Sequence, residues 1–171
     1  MIAGAFQKLG QTSRQFLPAL LTILYILVSV LIWPLPFVGA VAPSLGLVAV
    51  YYWSVHRPDL YRVPVVFLLG MLNDIVHFLP LGLSAFVFVG VHQLLHAQRR
   101  FFVGQTFYVL WFGFGLIALL SSFVNWTLLS LIDGRAVTVV PVVMQYLLTV
   151  AIFPLAAWVL IRVQRAFLMQ G

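Results

Sequence analysis

Six apolar stretches separated by short loops, with eight of the nine Lys and Arg residues falling in alternate connections, constrain this chain most. Six such runs in one chain point to helices that span a bilayer, which takes about 20 residues each, although the two between 63 and 97 are slightly short for it. The first is expected over about 17–37 and ends at Trp33-Pro34-Leu35-Pro36, where two prolines interrupt helical bonding. A second, over about 41–55, starts through Pro43 and closes on Tyr51-Tyr52-Trp53. Residues 63–95 are mostly apolar but too many for one span, and Pro80-Leu81-Gly82 is the strong turn signal among them. The division there gives spans of about 63–79 and 82–97. The last two are expected over about 106–131 and 138–161, joined by the tight turn Asp133-Gly134-Arg135.

The charges fix an orientation for this array. With the N-terminus cytoplasmic, Lys8, Arg14, Arg57, Arg62, Arg99, Arg100, Arg162 and Arg165 share one face and Arg135 stands alone on the other. Short loops are where the positive-inside rule applies, so both termini are expected inside. An odd number of spans would break this segregation. The expected fold class is therefore an all-α membrane protein of six transmembrane helices, forming one integral-membrane domain over 1–171. It is expected to be multi-pass and embedded in lipid.

Composition excludes several function classes. The chain is 64% hydrophobic and 7% charged, against about 25% charged for a globular domain. Its net charge of +6 is spread between apolar runs, so no basic face exists for nucleic acid. Cysteine is absent, which removes disulfides and thiolate chemistry. A signal peptide is not expected: Ala40-Val41-Ala42 resembles a cleavage site, but the apolar run before it exceeds the usual 7–15 residues and Pro43 follows the cut. Metalloprotease, P-loop and nucleophile-elbow motifs are all missing. No catalytic residue, cofactor or metal is expected.

Polar residues inside the spans carry the functional expectation. An aspartate near a helix centre costs roughly 2.5–3.5 kcal/mol on insertion scales, so Asp74 must face protein or water. At helical rise Asp74 lies about 9 Å below the outer boundary, Asn125 about 12 Å and Gln145 about 9–10 Å. The three are expected to form a hydrogen-bonded layer, with Asn73 and His77 near it. His77, three residues from Asp74, shares its helix face. His92 and His96 have the spacing of two metal ligands, but no third ligand is near in sequence. Gly70, Gly82, Gly113 and Gly115 are small enough to permit close helix approach. No internal repeat is visible, which weakens a reading as an inverted-repeat transporter.

Pro43-Ser44-Leu45, Tyr51-Tyr52-Trp53, His56-Arg57-Pro58 and then Gly70, Asp74 and Pro80-Leu81-Gly82 resemble, in order and spacing, the rod shape-determining MreD family. The chain departs from that pattern at His77, Phe78 and Leu79, where relatives carry smaller residues, often glycine. The resemblance implies a non-enzymatic inner-membrane component of the bacterial elongation machinery, active in cell shape and lateral peptidoglycan synthesis. Its implied partner is MreC, through a transmembrane helix. The glycosyltransferase and transpeptidase pair and MreB are linked less directly, and a second copy of the chain is a further candidate. Asp74 matches the family's acidic residue. The implied fold is similar to the substrate-binding component of energy-coupling-factor transporters, so binding of a vitamin-like small molecule is the alternative function.

Overall fold

The computed structural model describes residues 2–32 and 41–168, with side chains described over 16–31 and 41–167. It is all-helical, with no strand among the described residues. Among the described residues seven helices follow in order: α1 (Ile2–Ile32), α2 (Leu45–His56), α3 (Val63–Val76), α4 (Leu83–Ala97), α5 (Arg99–Phe102), α6 (Phe107–Asp133) and α7 (Val139–Leu168). Two of them, α6 and α7, are long and apolar enough to cross a membrane. The stretch Phe16–Leu31 of α1, and all of α3 and α4, are apolar but shorter.

α2 is the hub. It has 12 residues, about 18 Å at helical rise, and 11 of them are buried. A helix apolar on every face must be enclosed on every face, and α1, α4, α7, α3 and α6 all pack on it. Trp53, Tyr51 and Tyr52 accordingly belong to the core. Tyr51 meets Phe114 and Phe153 edge-on, at 5.3 and 5.8 Å between centroids. Its hydroxyl donates to the Leu110 carbonyl at 2.9 Å.

Two hairpins flank the hub, α3 with α4 and α6 with α7. Gly113 admits Phe102 and the Tyr51 hydroxyl against α6, as expected of a packing glycine. Gly115 does not act this way; the nearest atom to a methyl built there is the Tyr146 hydroxyl at 3.9 Å. Pro154 within α7 cannot bond the Val150 carbonyl, and the Trp111 indole of α6 donates to that freed oxygen at 3.0 Å. A proline defect thus becomes an interhelical tie. Outward, α6 and α7 present large apolar side chains, among them Phe112, Leu116, Phe123, Val140, Leu147 and Leu155. Between α2 and α3 the loop is anchored by Tyr61, which is fully buried with its hydroxyl 3.1 Å from Thr22 Oγ1. Burial pushes that phenol above its usual range.

Helix limits differ from expectation in four places: α1 begins at Ile2 rather than near 17, α7 runs to Leu168 rather than to about 161, and the start of α2 and the end of α3 also move. The 41–55 stretch becomes helical only at Leu45, whose amide bonds the Pro43 carbonyl at 2.9 Å. The 63–79 stretch stops at Val76. There Leu79 N–H reaches the Asp74 carbonyl at 2.9 Å and Phe78 N–H reaches Ile75 at 3.4 Å, the paired bonds of a Schellman terminus. Phe78 takes the left-handed position at φ 55, where glycine is usual, and is 96% exposed. The turn therefore begins at His77 rather than at Pro80. The expected Trp33-to-Pro36 stop of the first stretch lies outside the described residues.

Candidate functional site

The α3–α4 hairpin places most of the residues singled out by sequence. Gly70 makes it close: a methyl there would fall on the Ala85 backbone, 2.6 Å from its nitrogen and 2.9 Å from the Ser84 carbonyl carbon. Gly82 serves differently. Nothing lies within 4 Å of a side chain built on it, but its φ of 97 is a conformation that L residues rarely adopt. The chain turns there into α4, whose first amides have no intrahelical partners.

Asp74 supplies those partners. Its carboxylate is fully buried. Oδ2 accepts from Gly82 N–H at 2.9 Å, and Ser84 N–H bonds Oδ1 at 2.9 Å and Oδ2 at 3.2 Å. A residue of α3 thus caps the N-terminus of α4, where the helix dipole also favours an anion. Its neighbour Asn73 makes the adjacent tie, Nδ2 donating to Ser84 Oγ at 2.8 Å.

The expected hydrogen-bonded layer of Asp74, Asn125 and Gln145 is not what forms. Both oxygens of Asp74 are engaged at α4. Asn125 Oδ1 is buried with no hydrogen-bond partner. Gln145 Nε2 donates to the Ala42 carbonyl at 3.1 Å. Depth along a helix does not determine which way a side chain faces, and Asp74 faces its own hairpin.

The other four residues of that layer do converge, on a cavity of about 270 Å³ that Asp74 does not line. Asn73 and His77 border it from the α3 side, Asn125 from α6 and Gln145 from α7; Pro43 also lines it, while Gly70, Pro80 and Gly82 do not. His77 Nδ1–H donates to the Asn73 carbonyl at 2.9 Å, which leaves Nε2 facing the Ser29 hydroxyl at 2.9 Å. On α7, Thr149 donates to the Gln145 carbonyl at 2.6 Å and accepts from Ser44 N–H at 3.0 Å, fixing the start of α2. Apolar walls come from Leu47, Val87, Phe88 and Ala118. Among the described residues no Lys, Arg, Asp or Glu lines the cavity.

Sequence reasoning missed Ser121, which lines the cavity from α6 one turn before Asn125 and is 3% exposed. Its Oγ, like Asn125 Oδ1, has no hydrogen-bond partner. The signal was the i,i+4 placement of Ser121 and Asn125 on one face of an apolar helix. His92 bonds Ser54 on α2, Nδ1 to Oγ at 2.8 Å, with its ring 6.4 Å from that of His96.

The chain matches no protein-family model, no curated protein and no solved structure.

Proposed function

We propose that the chain is a non-enzymatic membrane scaffold of the MreD type, with six spans and both termini cytoplasmic in the bacterial inner membrane. It holds an MreC-like partner through that partner's transmembrane helix and so supports rod shape and lateral peptidoglycan synthesis. One observation carries the reading: Asp74, the acidic residue of the resemblance, is fully buried and spent on capping α4. An acid used this way holds two helices in a fixed relation, which is a scaffold's requirement. The outward apolar faces of α6 and α7 add support, since they need lipid or a partner helix against them. The test is co-expression with an MreC-like protein in a rod-shaped bacterium lacking its own MreD. Wild-type chain is expected to co-purify the partner and to restore rods, and Asp74→Ala and Gly82→Val are expected to do neither. Round cells and no co-purification with the wild-type chain would refute the reading.

The cavity favours a second reading, a membrane subunit that binds a vitamin-like small molecule. Its volume of about 270 Å³ approaches the ~300–1,000 Å³ typical of ligand sites.

A further inference from the structure

The second reading leaves open what kind of molecule the cavity would take, and its lining narrows the choice. Two buried polar atoms, Ser121 Oγ and Asn125 Oδ1, border it without hydrogen-bond partners. Folded proteins seldom leave such atoms unmatched, because each loses its water without a replacement. Both sit on one face of α6, so a single bound group can reach both. Asn125 Oδ1 can only accept, whereas Ser121 Oγ can donate or accept. Several neighbouring groups are already committed: Gln145 Nε2 to Ala42, Thr149 to Gln145 and Ser44, Asn73 Nδ2 to Ser84. No Lys, Arg, Asp or Glu is among the described residues of the lining, and both ring nitrogens of His77 are already hydrogen-bonded, so a charged ligand would be desolvated with no counter-ion there.

We infer that the cavity binds a small uncharged molecule bearing a hydrogen-bond donor, of the carboxamide type, on a compact apolar body. The donor meets Asn125 Oδ1, the amide oxygen accepts from Ser121, and the apolar body lies against Leu47, Val87 and Phe88. This inference rests on the second reading and assigns its ligand class.

Benzamide and benzoate, which share a shape and differ in charge, make the test. Thermal unfolding of the full chain in detergent is followed with each at about ten times the benzamide dissociation constant. Benzamide is expected to raise Tm by about 3–6 °C, and benzoate to leave it unchanged. Asn125→Leu is near in size and removes an unmatched buried acceptor; it is expected to raise the ligand-free Tm and to abolish the benzamide response. Ser121→Ala, which removes only the hydroxyl, is expected to keep the fold and reduce the response about tenfold in apparent affinity. A molecule released on denaturing the purified chain is expected to be uncharged. Stabilisation by benzoate equal to that by benzamide, or release of a charged molecule, overturns the assigned class but leaves the second reading standing. An undiminished benzamide response in Asn125→Leu overturns the assigned site. No response to either probe and no released molecule overturns the second reading as well, leaving a cavity that holds water.

Discussion

Replacing Asp74 by alanine tests the capping geometry most directly. The substitution removes the acceptor for the Gly82 and Ser84 amides, and Ser84 is itself buried, so no water replaces it. Each buried amide left without a partner costs about 1–3 kcal/mol. The favourable placement of an anion at the α4 N-terminus adds up to about 1 kcal/mol. A loss of about 3 kcal/mol is expected, which for a chain of 171 residues lowers Tm by about 6–12 °C. Asp74→Asn keeps one oxygen to accept and turns an NH2 toward the other donor, so it is expected to fall between alanine and wild type. Unfolding in detergent, followed by tryptophan fluorescence, gives the ranking. If Asp74 acts through the hairpin, Asp74→Ala also recovers partner co-purification when cells are grown about 10 °C cooler, within the expected Tm loss. A Tm within about 1 °C of wild type would refute the capping argument, and lost co-purification at unchanged Tm would move Asp74 into a contact surface.

Gly70→Ala is expected to destabilise by about 2–3 kcal/mol, because its methyl meets the fixed Ala85 backbone rather than a mobile side chain; the same thermal assay checks it. Gly82→Ala meets no atom within 4 Å and should cost only about 1 kcal/mol, the strain of a left-handed alanine. Phe78→Gly should stabilise by about 1 kcal/mol, since the exposed ring occupies the glycine position of a Schellman terminus. A fall in Tm for that variant would show that the ring is held by something outside the chain. Tyr51→Phe should lose about 1 kcal/mol through the bond to Leu110.

The helices were legible because apolar runs and proline–glycine turns mark them. α4, α6 and the start of α7 fall within two residues of the expected limits. The end of α3 was not legible: a Schellman terminus normally announces itself with glycine, and here Phe78 takes that place. α2 was found, but its central position was hidden, since an apolar helix enclosed by protein and one facing lipid have the same composition. The candidate site was half legible. Depth arithmetic brought Asp74, Asn125 and Gln145 to a common level, with Asn73 and His77 expected near it, and all of these but Asp74 line one cavity. Rotation about each helix axis lay beyond that arithmetic, so Asp74 was expected among them and is not. Ser121 carries little signal in sequence, because serine in an apolar helix usually returns its hydrogen to its own backbone, and here its Oγ makes no such bond.

The division of labour between Asp74 and Asn73 links the two halves of the molecule. Successive residues on a helix point about 100° apart, so the aspartate can face the α4 amides while the asparagine reaches the cavity wall. Both end on one residue: Asp74 holds the Ser84 amide and Asn73 holds the Ser84 hydroxyl. Ser84 also lines the cavity. Loosening the cap therefore moves a wall of the cavity without touching its unmatched atoms on α6. In Asp74→Asn, benzamide binding should weaken only about as far as the hairpin loosens, and falling temperature should restore it. In Asn125→Leu no temperature should restore it, because the acceptor itself is gone. Two variants, one at the hairpin and one at the cavity, thus separate a site held in shape by α3 and α4 from a site whose recognition resides on α6.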